Sequence, residues 1–237
     1  MKRFFTATLA AMLVMGLCAM AMASSAGPGL TPDEALTKLK EGNNRYVAGA
    51  SVAPHQDAAR RHETATGGQH PFATVLSCAD SRAPVEVLFD QGVGDIFTVR
   101  VAGNVAATDE IGTIEYGAEH LAVPLIVVLG HTKCGAVTAV VKNEPVTENI
   151  GQLVAPIVPA VKAVKSRFAS SNADELISKS IEANIWQAIS DMYAKSPLLK
   201  KMAAAGKIKV VGALYDIDSG EVHWYGEHPG NANLLGK

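Results

Sequence analysis

The sequence predicts an α/β fold: a mostly parallel central sheet of four strands with an added antiparallel edge strand, flanked by helices. Three observations predict it. Four short apolar runs recur along the chain, FATVLS (72–77), DIFTV (95–99), PLIVVLG (124–130) and KIKVVGALYD (207–216). Near-continuous apolar runs of this length suit strands covered on both faces, as in a parallel sheet. The stretches between them have helical periodicity, so strand and helix alternate. EVHWYG (221–226) alternates in polarity after a turn at Asp218-Ser-Gly, which pairs it in hairpin fashion with the fourth run.

Taken in order, the chain opens with Lys2 and Arg3, an uncharged stretch over residues 4–22, and the small residues Ala21 and Ala23. This is the layout of a secretory signal peptide, expected over residues 1–23 with cleavage after Ala23. The alternative is an uncleaved anchor, because residues 4–22 could just span a bilayer. Thr31-Pro-Asp-Glu reads as a helix start, with Thr31 as N-cap and Pro32 at the first helical position. An N-terminal helical arm is expected over about residues 31–62, and the polar stretch 50–71, broken by Pro54, Gly67, Gly68 and Pro71, reads as a connection. Helices are expected at 108–121, 134–142, 150–168 and 174–205, the last closing at Gly206. Residues 24–237 then form one catalytic domain.

Composition narrows the function classes. Loss of the signal removes two of 21 basic residues against 23 acidic ones, leaving a net charge of about −4. No basic block is present, which argues against nucleic acid as a partner. No second run is long enough to cross a membrane, so no stable insertion is expected after cleavage. Of three cysteines, Cys78 and Cys134 remain in the processed chain. In an exported protein the default for such a pair is a disulfide.

The neighbours of these cysteines favour other chemistry. Cys78 follows the first strand, and the third runs directly into GHTKCGAV, so His131 and Cys134 fall at its carboxyl end. Ligands gather at the carboxyl ends of strands in open parallel sheets. Two thiolates and one imidazole make a three-ligand zinc set with an open fourth position, the pattern of a catalytic metal. Asp80, two residues past Cys78, is placed to orient a water on that metal. Arg82 can restrain Asp80 through a paired, charge-assisted hydrogen bond. The competing readings are a surface ion pair for Asp80 and Arg82, and a packed or capping role for His131.

The motifs C-x-D-x-R (Cys78, Asp80, Arg82) and H-x-x-C-G (His131, Cys134, Gly135), with FTVRVAGNV (97–105) between them, resemble the β-class carbonic anhydrases of the plant-like subgroup over about residues 32–225. The resemblance implies zinc held by Cys78, His131 and Cys134, with Asp80 as a further ligand only in a closed state. It implies reversible hydration of CO₂ to bicarbonate and a proton by metal-bound hydroxide, with Asp80 and Arg82 orienting the zinc water. Gln69 matches a bicarbonate-binding glutamine. Phe97 and Tyr116 match apolar pocket residues that in the family come partly from the partner subunit, so a homodimer or higher homo-oligomer is implied. Arg100-Val-Ala-Gly-Asn104 departs from the family's commoner Arg-Asn-x-Ala-Asn, and a different local backbone is expected there. Two alternatives stand beside this reading: an exported α/β binding module with a Cys78–Cys134 disulfide, and a CS₂ or COS hydrolase on the same fold. The signal peptide implies a periplasmic location.

Overall fold

The computed structural model describes residues 29–237, so the expected signal peptide and its cleavage point lie outside the described residues. The elements run α1 (Pro32–Val47), α2 (Ala58–Gly67), β1 (Ala73–Ser77), α3 (Val85–Leu88), β2 (Ile96–Arg100), α4 (Thr108–Glu119), β3 (Leu125–His131), α5 (Gly135–Lys142), α6 (Glu148–Val154), α7 (Val158–Arg167), α8 (Ala173–Lys195), α9 (Pro197–Ala204), β4 (Lys209–Tyr215), β5 (Val222–Gly226) and α10 (Asn231–Leu235). Single 3₁₀ turns occupy Ala102–Asn104 and Ala155–Ile157.

The sheet has the order β2-β1-β3-β4-β5, with β1 to β4 parallel and β5 antiparallel to β4. The chain leaves β1 to one side for β2 and returns to its other side for β3. Strand order therefore reverses between β1 and β3, where a crevice opens beyond their carboxyl ends. β1 and β3 are buried throughout, as their unbroken apolar runs require. Alternate residues of β3 face opposite layers. Leu125, Val127 and Leu129 join Leu39, Leu88 and Phe89 on one face, while Ile126 and Val128 meet Ile185, Ile189 and Met192 on the other.

Thr31 caps α1 in a reciprocal capping box with Glu34. Buried Asn43 then ties α1 to the sheet, donating to the carbonyls of Leu88 and Gly220 and accepting from Val222 N–H. Among the described residues, no helix is long and apolar enough to cross a membrane.

Several elements differ from expectation. The stretch 50–71 contains a true helix, α2, so the arm comprises two helices and ends at Gly67 rather than near 62. Asp57 caps α2 by accepting from Arg60 N–H, and Gly68, at φ +82°, closes it. All its residues are exposed or half-exposed, so it has no apolar stripe to read. The expected helix 174–205 is two, because Pro197 has no N–H to continue α8 and Ser196 caps α9 instead. The stretch 150–168 is likewise divided, by the turn containing Pro156. Cys134 is the N-cap of α5, outside its first turn.

Candidate metal centre

β1 ends at Ser77 and delivers Cys78 to the crevice, and β3 ends on His131 itself. Lys133 takes a left-handed φ of +56°, which turns the chain so that Cys134 comes back towards His131. The ligand atoms of Cys78, His131 and Cys134 all lie within 4.8 Å of one another, and all three residues are buried. Both cysteines are free thiols, so the disulfide alternative is not the state of this pair.

The imidazole is preset for coordination. Nδ1 of His131 lies 2.8 Å from the Thr132 carbonyl oxygen, which can only accept, so Nδ1 carries the hydrogen and Nε2 the lone pair. Among the described residues, buried Nε2 has no hydrogen-bond partner. Such an orphaned group is costly unless a ligand satisfies it. The thiols share a proton unequally. Hydrogen bonding from Cys134 lowers Cys78 against the opposing effect of burial, and the same bond together with burial pushes Cys134 up. Two sulfurs, one already disposed to be a thiolate, and an aimed imidazole nitrogen form a donor set that fits zinc.

Asp80 stands at the rim. Arg82 grips it with two bonds, Nε to Oδ1 at 2.9 Å and Nη2 to Oδ2 at 2.7 Å, while Arg82 N–H donates to Oδ1 at 3.0 Å. This grip holds the Asp80 carboxyl well below the usual carboxylate range, against the opposing effect of partial burial. Oδ2 of Asp80 lies 3.8 Å from Nε2 of His131, beside the cluster. Arg82 also donates to the Lys133 carbonyl at 3.3 Å, linking the two strand ends.

The turn carrying Cys78 and Asp80 is held from β2. Arg100 donates to the carbonyls of Cys78 at 3.1 Å and Asp80 at 2.6 Å, and Gly103 N–H donates to Cys78 Sγ at 3.2 Å. The sequence marks Arg100–Asn104 for a different local backbone, which Gly103 at φ +76° supplies, but not for this support of the Cys78 turn. A basic residue at the end of the strand next to Cys78 was the available signal.

Gln69, Phe97 and Tyr116 are not brought to the cluster within one chain. Gln69 is exposed ahead of β1, at the opposite end of that strand from Cys78. Phe97 is half-buried on β2, level with Thr74, and its ring centroid lies 6.1 Å from that of Tyr116, which is 49% exposed. At about 3.3 Å per residue, the level of Phe97 is roughly 13 Å along the sheet from Cys78.

An open α/β sheet with a Cys₂His cluster at its switch point and a clamped carboxylate beside it defines a class, metal-dependent enzymes with an open coordination position. Comparison with known proteins gives the family. The family model described as carbonic anhydrase matches residues 73–222. Carbonic anhydrase 2 of Mycobacterium tuberculosis is 38% identical over 197 residues, covering 81% of this chain and 92% of its own. The carbonic anhydrase of Mycolicibacterium smegmatis is 37% identical over 199 residues, covering 82% and 94%. Among solved structures, the β-carbonic anhydrase CafA of Aspergillus fumigatus is similar with a TM-score of 0.68 and 28% identity, covering 86% of this chain and 94% of that one. The chain belongs to the β-carbonic anhydrase family.

Proposed function

We propose that this protein catalyses the reversible hydration of CO₂ to bicarbonate and a proton at the Cys78–His131–Cys134 cluster. The observation that carries the reading is the convergence of these three buried donors beside a carboxylate fixed by Arg82. Zinc held there supplies Lewis acidity that makes water nucleophilic near neutral pH, behaviour established for carbonic anhydrases with other ligands. The chain's own residues do the rest. Cys78 and Cys134 as thiolates would balance the charge of the ion, and His131 Nε2 would complete the set. Asp80, kept ionised, accepts a hydrogen bond from the reacting water and turns an oxygen lone pair towards the CO₂ carbon. Arg82 occupies both Asp80 oxygens, so the carboxylate orients water rather than becoming a fourth ligand; a closed state requires that pair to open. The water oxygen bonds to carbon, one C=O π pair moves onto oxygen, and the proton leaves to solvent.

Gln69, Phe97 and Tyr116 complete the substrate pocket from the partner subunit of a homodimer or larger homo-oligomer. Supporting this, they lie away from the cluster in their own chain, and β2 edges the sheet with one side unpaired among the described residues. Export through residues 1–23 places the enzyme in the periplasm.

Stopped-flow CO₂ hydration by zinc-loaded residues 24–237, with a Cys78→Ser control, tests the reading. Rapid proton release abolished by the substitution is expected, from a species that sediments as a dimer or larger. No release by the wild-type protein near pH 8.5 would overturn the activity, and an active monomer would remove the partner's role. Detection of the intact leader on the exported protein would overturn cleavage, and its absence from the periplasmic fraction would overturn the location.

A further inference from the structure

Gly103 sits in the 3₁₀ turn with φ +76°, and it is the residue whose N–H reaches Cys78 Sγ. A Cβ there would come within 2.7 Å of Ile157 Cδ1 and 3.2 Å of Ala136 Cβ, in a backbone conformation that L side chains rarely adopt. The carbonyl of the same residue accepts from Asn184 Nδ2 at 2.7 Å, a contact spanning 81 residues of sequence. Asn184 lies in the middle of α8, 1% exposed, among buried Ile181, Ile185 and Ala188. A primary amide in such surroundings is costly unless it makes a specific bond. The bond it makes goes to the turn that supplies a donor to a ligand sulfur.

We propose that Asn184 is a positioning residue for the metal centre: through Gly103 it holds a backbone N–H on the Cys78 sulfur and so sets how strongly that sulfur donates to the metal. The inference rests on the reading of Cys78, His131 and Cys134 as the zinc ligands. An N–H···S bond draws electron density from a thiolate, so a metal bonded to it is left more electron-poor. Groups that orient or polarise ligands from outside the ligand set are typically worth about 10–100-fold in metal affinity or activity.

The test uses the full processed protein with cobalt(II) in place of zinc, read by its sulfur-to-cobalt charge-transfer absorption. Asn184→Leu keeps the volume and removes the donor. The band is expected to move to longer wavelength, because a sulfur relieved of the Gly103 N–H donates more strongly to the metal. Asn184→Ala, which also removes the donor to the Gly103 carbonyl, reads the same band should the leucine variant not fold. Ile189→Val, a buried change elsewhere on α8, is the control for general loosening of the helix and leaves the band in place. An unmoved band in the Asn184 variants, or an equal shift in the control, overturns the inference while the zinc reading stands. A wild-type protein that gives no thiolate–cobalt band overturns both.

Discussion

At the scale of single residues, charge and geometry outweigh exposure. Arg82 is half exposed, yet its planar fork meets both oxygens of Asp80 and also reaches Lys133. An ammonium cannot reproduce that fork. Arg82→Lys is therefore expected to lower kcat about 10²-fold with zinc content unchanged, since small misplacements of an orienting group cost rate steeply. Metal analysis and stopped-flow traces on one sample check it, and a wild-type kcat would show that the fork does not matter. Asp90 is the corresponding structural case. It accepts from Arg45 Nε at 2.6 Å, Val52 N–H at 3.1 Å and Ala53 N–H at 2.8 Å, joining α1, the arm and the approach to β2. Burial opposes its ionisation, but these bonds outweigh burial and lower its pKa. A lowered carboxylate contributes stability in full above its unfolded value of about 3.9, and loses it as pH falls through the lower folded value. Asp90→Asn should cost about 1–3 kcal/mol at pH 7, with the gap to wild type narrowing below about pH 4. Urea unfolding at both pH values measures this, and a constant gap would exclude the charge as the cause. These residues also show what the sequence makes legible. Cys78, Asp80 and Arg82 are local neighbours with distinctive chemistry, whereas Asn184 is an ordinary amide whose partner lies 81 residues away.

At the scale of elements, the four parallel strands are legible because each is an apolar run with nothing competing for it, and β5 because it alternates in polarity after a turn. The helices were harder. α2 folds on the strength of its Asp57 cap and helix-compatible residues with no buried face, so periodicity could not find it. The break between α8 and α9 was written in Pro197, but continuous periodicity on either side hid it. α8 also depends on two glycines in strands. A Cβ on Gly212 of β4 would stand 2.8 Å from Trp186 Cζ3 and 2.9 Å from Ile185 Cγ2, and one on Gly130 of β3 would stand 2.8 Å from Ile185 Cδ1. The helix lies close to the sheet because those side chains are missing. Gly212→Ala is expected to destabilise by about 1–3 kcal/mol through overpacking. Thermal unfolding reads it, and an unchanged or raised Tm would mean that Trp186 and Ile185 yield without strain.

At the scale of the whole molecule, the metal centre joins parts of the sheet built on either side of the order reversal. Cys78 comes from β1, and His131 and Cys134 come with β3, so an ion held by all three is a link across the switch point. Chelation should lower stability by the free energy of binding, about 2.7 kcal/mol where free zinc stands at 100 times its Kd. Readdition of zinc should restore it, and a melting temperature indifferent to chelator and zinc would refute the link. The architecture could be read from alternating runs because the pattern is repeated along the whole chain. The placement of Gln69, Phe97 and Tyr116 could not, since nothing in their local sequence shows that they lie away from the cluster in their own chain.

The reversal of strand order has a last consequence, for how the protein matures. β1 and β3 are parallel and need a long crossover, containing β2 and α4, before they can pair. Until they do, the chain offers an ion only the histidine and cysteine of one short turn, a weak chelate. Full capture of the metal is thus a checkpoint that only a correctly assembled sheet can pass, and retained zinc is a receipt for completed folding.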